Sequence, residues 1–389
     1  MALHSGFDDI GIERLREIGS VKWTRYPDKI GAFIAEMDFG TAPPITRALH
    51  AAVDVGNFGY LPTALCERMS EAYAQWARTR YGWDVPPANI RPVADVIAAL
   101  AAVIEHFSAP GSPVIVPTPA YMPFLTVPRT LGREIIQVPM ASADDRLVYD
   151  LDALDAAFRA GGNLLILCNP HNPIGRVLTH AEMTAVAEVV HRHGGRVFAD
   201  EIHAPLVFPG HRHVPYASIS PVTAGHTVTA TSASKAWNLP GLKCAQLILS
   251  NEADLAKWSQ CGDLAEHGAS NLGVVANIAA YTEGGPWLDE VLAYLDGNRL
   301  RLAELLAEHL PEVRYTPPEG TYLAWLDCRP LGLGDHPAQF FLEKAGVAMT
   351  DGPQCGEVGR GFVRYNFATP RPIMEQAIKQ MAQARGLRR

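Results

Sequence analysis

Residues 231–241, Thr-Ser-Ala-Ser-Lys-Ala-Trp-Asn-Leu-Pro-Gly, put two small hydroxyls just before Lys235, directly after the strand-like run 227–230. A primary amine held at a strand end beside hydroxyls suits covalent capture of an aldehyde cofactor whose phosphate needs hydrogen-bond donors. Alone, the pattern equally describes an ordinary loop lysine. Three other groups lie at the end of a strand-like run or inside one. Asn172 sits in Asn169-Pro170-His171-Asn172-Pro173-Ile174-Gly175, after the apolar run 163–168, in a turn shaped by its prolines and glycine. Asp200 emerges from the apolar run 196–199, and Arg364 is the lone charge in Phe362-Val363-Arg364-Tyr365-Asn366-Phe367. Singly they read as a turn former, a helix cap and a structural ion pair. Together, each at a strand end or within a strand, they point to one site gathered from distant parts of the chain.

Such gathering needs a frame that aligns strand ends. Strand-like runs at 114–116, 134–138, 163–168, 196–199, 227–230 and 245–249 alternate with long loops or helical stretches such as 96–107, 151–160 and 181–193. This pattern predicts an α/β fold with a mainly parallel sheet covered on both faces, whose ligands lie at the carboxyl ends of the strands. Ahead of it, the first forty or so residues show no sustained period and read as an arm lying over the rest. An amphipathic helix follows Pro43-Pro44 as far as about Val55, then Phe58-Gly59-Tyr60, then a helix over 63–80 with Leu65, Met69, Tyr73 and Trp76 on one stripe. Beyond Gly284 the character changes to a long helix over 287–310, a strand at 321–326, a helix at 338–345, a strand at 362–367 and a last helix. The expected organisation is an arm at 1–45 contributing to the smaller unit, a large domain at 46–284 and a small α+β domain at 285–389.

The bulk composition sets bounds. With 389 residues, 48% hydrophobic and 19% charged, a folded soluble protein is expected, and the net charge of -8 gives no electrostatic reason for a nucleic acid or anionic membrane partner. The first residues lack the basic start and apolar run of a secretory signal, so the expected setting is the cytoplasm. Six scattered cysteines lack the close pairs of a zinc site. The pairs His191/His193 and His211/His213 have a spacing that does not share a helical face, so no metal is expected.

The set Asn172-Pro173-x-Gly175, Asp200, Ser232-x-Ser234-Lys235 and Arg364 resembles fold-type I pyridoxal-phosphate enzymes of the class I/II aminotransferase superfamily. More narrowly, the chain is similar to the MalY/PatB group of cystathionine beta-lyases and related carbon–sulfur lyases. The stretches that carry this likeness are Ser20-Val21-Lys22-Trp23, Ala35-Glu36-Met37-Asp38-Phe39, Phe58-Gly59-Tyr60, 169–175, Asp200-Glu201-Ile202-His203, Tyr281-Thr282-Glu283-Gly284-Gly285 and Gly320-Thr321-Tyr322-Leu323-Ala324-Trp325. The resemblance spans nearly the whole chain. It implies pyridoxal 5'-phosphate as cofactor, held covalently by Lys235, with Asp200 against the pyridinium nitrogen and Asn172 on the phenolic oxygen. His203 either serves that same oxygen or is a packed core histidine. Tyr121 would stack on the ring and face the substrate. Ser232 and Ser234 would bind the phosphate, helped by the helix opening at Ala94-Asp95, while Lys243 is either a further basic ligand or a solvated lysine. Tyr60 would reach the phosphate of a neighbouring subunit, making the protein a homodimer with shared sites. Arg364 would clamp the substrate carboxylate through two parallel bonds.

Two departures accompany the likeness. Arg91-Pro92-Val93-Ala94-Asp95 replaces the glycine-containing turn usual before the phosphate-binding helix, and Asp95 brings negative charge there unless it caps the helix or points away. Trp237-Asn238-Leu239-Pro240 also differs in detail. The implied activity is beta-elimination from cystathionine or another cysteine S-conjugate, giving a thiol, pyruvate and ammonia, with the Lys235 amine as base for the Cα proton. An aminotransferase would use the same residues, and Arg364 does not separate the two; the groups facing the substrate side chain would come from the arm and the 263–271 loop. A cofactor-binding protein acting through a transcription regulator is a third reading, disfavoured by the complete catalytic set.

Overall fold

In the computed structural model, which describes residues 6–143 and 146–386, the apolar runs form a seven-stranded sheet. In chain order the strands are β1 (Ile30–Ala32), β2 (Ile90–Val93), β3 (Val114–Thr118), β4 (Ile135–Pro139), β5 (Ala141–Ala143), β6 (Arg146–Val148), β7 (Leu164–Cys168), β8 (Arg196–Asp200), β9 (Thr227–Thr231), β10 (Ala245–Leu249), β11 (Leu323–Asp327), β12 (Val347–Asp351) and β13 (Phe362–Asn366). The large sheet has the order β2-β10-β9-β8-β7-β3-β4. Its neighbours pair in parallel except β10, which runs antiparallel to both β2 and β9.

Side chains alternate between two cores along β3 and β7. Val114, Val116, Leu164 and Ile166 enter one core, and Ile115, Leu165 and Leu167 the other, as a period of two requires when both faces are covered. The register then fixes the site: Cys168 lies opposite Asp200, and Asp200 opposite Ala230, so β7, β8 and β9 end side by side. The helices follow local chemistry. Thr63–Tyr81 buries Leu65, Met69, Tyr73 and Trp76 and stops at Gly82, whose φ of 70° is a left-handed cap. Val96–Phe107 begins at Asp95, whose side chain accepts the Ala98 amide.

A second sheet has the order β1-β12-β13-β11. β1 lies parallel to β12, whereas β12 and β11 run antiparallel to β13. The expected irregular arm therefore has regular parts: helices Ile12–Ile18 and Val21–Thr24, then a strand within the second sheet. Residues 1–5 of that arm lie outside the described residues. The long helix is Gly285–His309, and Arg371–Gly386 packs against it. A helix at Asn271–Glu283, not anticipated from the sequence, packs against the Pro43–Asp54 and Thr63–Tyr81 helices. Among the described residues no helix is long and apolar enough to cross a membrane, and no His, Cys, Asp and Glu cluster is placed to hold a metal ion.

Candidate active site

β9 delivers Lys235 through a braced turn. The Ser232 hydroxyl donates to the Cys244 carbonyl at 2.7 Å and accepts the Ser234 amide at 3.0 Å. Without a ligand its hydrogen is taken up inside the chain, and the hydroxyl braces the turn that carries Lys235. Among the described residues the Ser234 hydroxyl has no such bond. Lys235 Nζ donates to the Ala35 carbonyl at 2.9 Å, and the Tyr322 hydroxyl donates to the same oxygen at 2.9 Å. Loss of hydration, reinforced by the Arg364 charge, pulls the Lys235 amine down to about 8.

Asp200 closes β8, buried, with Oδ1 accepting the Ile202 amide at 3.0 Å. Burial pushes its carboxyl up to about 7, although that hydrogen bond and the Lys235 charge act to lower it. Beside it, Asn172 and Arg364 meet: Arg364 Nη1 donates to Asn172 Oδ1 at 3.1 Å, which leaves the Asn172 amide nitrogen to serve another acceptor. Arg364 Nη2 donates to the Phe33 carbonyl at 2.7 Å and to Thr350 Oγ1 at 3.0 Å, while its buried Nε has no partner. A two-pronged grip on a carboxylate therefore requires the guanidinium to exchange one of these partners.

His203 is buried, its Nδ1 unpaired and its ring edge-on to Tyr322 at 5.8 Å between centroids. Burial first, then the Lys235 and Arg364 charges, hold it well below the ordinary histidine range, so its imidazole is neutral. Tyr121 follows β3, half-buried and edge-on to Phe124, and its phenol is raised by burial while it senses the charges of Arg364, Asp200 and Asp95. At the Val96–Phe107 helix start, Ala94 is half-buried and Asp95 acts as the cap, its Oδ2 paired with Lys243 Nζ at 2.7 Å. The alarm raised by an acidic residue beside a phosphate site is thereby answered: the charge is turned onto the helix's own amide and a lysine. Lys243 is more than half exposed and already engaged.

Tyr60 lies apart from these groups and is fully exposed. It lines an open cleft of about 1170 Å³ with Phe58, Arg91, Leu242, Ser270 and Asn271, among others. Lys235, Asp200 and Arg364 do not line that cleft.

A strap from the arm crosses the site, which reasoning from side chains alone missed. Its carbonyls do the holding: Phe33 for Arg364 and Thr350, Ala35 for Lys235 and Tyr322, and Ile34 and Glu36 for Asn366 Nδ2, each at 2.7 Å. Behind the strap, buried Lys22 pairs with Asp38 at 2.8 Å, and Trp23 Nε1 donates to the other Asp38 oxygen at 2.8 Å. The sequence marked the arm through the 20–23 and 35–39 stretches, but not the pairing of Lys22 with Asp38.

The groups present fit a phosphorylated pyridine aldehyde. A lysine amine of lowered basicity faces the aldehyde chemistry, and a buried carboxyl poised near neutrality suits a cationic ring nitrogen. Asn172 nitrogen and His203 offer bonds to a ring oxygen, and the Val96–Phe107 helix start with Ser234 offers donors to a phosphate.

The chain matches known proteins over most of its length. Residues 28–381 match the aminotransferase class I and II family. The chain is 38% identical over 376 residues to a cystathionine beta-lyase of Corynebacterium glutamicum, covering 95% of this chain and 98% of that one. It is 34% identical over 376 residues to the cystathionine beta-lyase PatB of Bacillus subtilis, covering 94% and 96%. A solved structure of the pyridoxal-phosphate-bound C–S lyase of Staphylococcus hominis superposes with a TM-score of 0.89 at 28% identity, covering 98% of each chain.

Proposed function

We infer the function from one premise: the chain belongs to the class I and II aminotransferase family, in its cystathionine beta-lyase-like group, and it is a pyridoxal-phosphate-dependent carbon–sulfur beta-lyase. The observation that carries the assignment of roles is the alignment of Asn172, Asp200 and Lys235 at the ends of adjacent parallel strands, with Arg364 joined to Asn172. When bound, the cofactor supplies an electron sink that allows the substrate Cα proton to leave and a thiolate to depart from Cβ.

The chain's residues do the rest. Lys235 anchors the cofactor, and its amine, whose basicity burial lowers, takes the Cα proton. Asp200 stands where a cationic ring nitrogen restores its charge, because an opposite charge nearby favours the ionised carboxylate. Asn172, itself held by Arg364, and neutral His203 orient the ring oxygen; Tyr121 covers the ring face. Ser232, Ser234 and the helix start hold the phosphate, with Ala94-Asp95 setting the helix's entry and Lys243 balancing Asp95. The Arg364 guanidinium, with Nε unpaired, receives the substrate α-carboxylate.

The natural substrate is cystathionine or a related cysteine S-conjugate, as the names of the relatives support. The protein works as a cytoplasmic homodimer: exposed Tyr60, with Phe58 and Leu264 standing out in the same region, forms an apolar rim that a second copy would cover, carrying Tyr60 to the partner's phosphate. Incubation with L-cystathionine tests the activity: pyruvate and free thiol should form without an added keto acid. Loss of amino acid that depends on a keto acid, with no pyruvate, would make it an aminotransferase.

A further inference from the structure

We infer that Asn277, oriented by Gln246 and Tyr281, is a positioning residue for Lys235, holding the turn that presents its amine; the inference rests on the pyridoxal-phosphate reading above. Lys235 lies inside a turn closed on itself: the Trp237 amide donates to the Ala233 carbonyl at 3.0 Å, and the Leu239 amide to the Ser234 carbonyl at 2.9 Å. Past Lys235 the turn is tied to the arm, where Asn238 exchanges two bonds of 2.9 Å with the Met37 backbone. Ahead of Lys235 the tie runs into the body of the large domain. There Ser232 bonds to Cys244, and Asn277 Oδ1, on the Asn271–Glu283 helix, accepts the Ala233 amide at 3.1 Å. The same helix ends at Gly284, whose carbonyl accepts Trp237 Nε1 at 2.9 Å. Ala233, two residues before the lysine, is thus gripped at both of its peptide groups.

Asn277 is itself set by a buried relay. Its Oδ1 also accepts Gln246 Nε2 at 3.2 Å, Gln246 Oε1 accepts the Tyr281 hydroxyl at 2.7 Å, and Asn277 Nδ2 donates to the Gly273 carbonyl at 2.8 Å. All three side chains are buried. The relay has a direction that begins at Tyr281. Burial raises that phenol well above its ordinary range, so it stays a donor and fixes which way round Gln246 presents its amide. A reversed Gln246 would set oxygen against Asn277 Oδ1. Asn277 would then have to turn as well, leaving the Ala233 amide buried without an acceptor. Gln246 lies on β10 opposite Thr231, so the relay stands beside the end of the strand that delivers the lysine.

The helix is shaped to come this close. A Cβ at Gly273 would fall 2.1 Å from the Leu242 carbonyl oxygen, and one at Gly284 would fall 2.5 Å from Trp237 Nε1. Glycine at these two places lets the helix lie against the turn, so that Asn277 and the Gly284 carbonyl reach it. Packing alone would be served by apolar side chains, which carry no desolvation cost. A satisfied polar relay adds a single orientation instead. With Ala233 fixed, the Ser234 hydroxyl and the Lys235 amine that follow it keep one geometry relative to each other.

The test follows release of pyridoxal phosphate from the holoenzyme, read as loss of yellow absorbance on dilution with a phosphatase that consumes the freed cofactor, beside steady-state pyruvate formation from cystathionine. Tyr281→Phe removes one oxygen at the far end of the relay, and Asn277→Leu removes the acceptor itself. Release should quicken about fivefold in Tyr281→Phe and about tenfold or more in Asn277→Leu, as a lost buried hydrogen bond and a stranded buried donor imply. In both, kcat should fall while KM changes little, because Arg364 is untouched. Tyr73→Phe, in a ring edge-on to Tyr281 at 5.3 Å but outside the relay, should release the cofactor at the wild-type rate. Unchanged release in Tyr281→Phe, even with lower stability in urea, would overturn the inference and leave the relay a prop for folding. Equal quickening in Tyr73→Phe would overturn it too. Should Asn277→Leu fail to fold, Tyr281→Phe decides alone. A wild type that binds no pyridoxal phosphate would instead overturn the cofactor reading, and the inference with it.

Discussion

Replacing Asp200 by asparagine separates what the site demands from what the fold tolerates. In the cofactor-free chain the buried Asp200 carboxyl has its pKa raised from 3.8 to about 7. The sign follows from proton uptake. Below 3.8 the group is neutral in both folded and unfolded chains and contributes no pH dependence. Between 3.8 and about 7 the folded chain holds a proton that the unfolded chain has released, so stability falls as pH rises, then levels off. The gap between 3.8 and about 7, at about 1.4 kcal/mol per pH unit, amounts to about 4 kcal/mol of destabilisation at pH 8. Roughly half to two-thirds of it develops above pH 5. Asparagine keeps the acceptor for the Ile202 amide but never ionises. Its amide nitrogen, if unpaired, displaces the whole curve by a pH-independent amount, so the slope is diagnostic rather than the offset. Urea unfolding of both cofactor-free proteins from pH 5 to 8 should show the stability difference moving in favour of Asp200→Asn by about 2–3 kcal/mol. The loaded variant should meanwhile lose most of its turnover. A difference that stays flat across that range would refute the argument.

Lys235→Ala should abolish both turnover and the yellow absorbance of the attached cofactor; absorbance that survives dialysis would remove Lys235 from its role. Arg364→Lys should raise KM about 10- to 100-fold with a smaller effect on kcat, because a charge-assisted contact is worth about 1.5–3 kcal/mol and an ammonium lacks the planar fork. Steady-state kinetics with cystathionine would decide it, an unchanged KM counting against the carboxylate role. Lys22→Met leaves Asp38 buried with only Trp23 as a donor, and should lower stability by about 3–5 kcal/mol. Adding Asp38→Asn should recover part of that loss in denaturant unfolding, whereas strictly additive losses would show that the pair does not act as a unit.

The strand-end residues were legible because a parallel sheet writes itself as short apolar runs, and whatever follows each run must emerge on one edge. Asn172, Asp200 and Lys235 could each be placed at a strand end from spacing, while their adjacency and the capping role of Asp95 came from the structure. Other parts carried weaker marks. β2 holds Arg91 and Pro92 at the sheet's edge, where a missing amide is tolerated, so its four residues read as loop. The helix Asn271–Glu283 is buried on most of its surface and lacks the polar stripe that would announce it. The arm was legible, but the strap's holding role was not: it resides in the carbonyls of Phe33 and Ala35, and a backbone oxygen has no residue type. Ser232 shows the converse: its residue type is plain in the sequence, while its hydrogen bond to the Cys244 carbonyl is not.

The pairing of β1 with β12 joins residue 30 to residue 347. During synthesis the strap's own segment leaves the ribosome near the beginning, yet the strand and the Ala368 carbonyl that secure it are made near the end. The strands bearing Asn172, Asp200 and Lys235 are complete long before either. The cofactor-holding half of the site thus matures first, and Arg364 and the strap arrive together as its last additions. A nascent chain halted before Val347 would carry the reactive lysine with the strap already made but unsecured and Arg364 still absent.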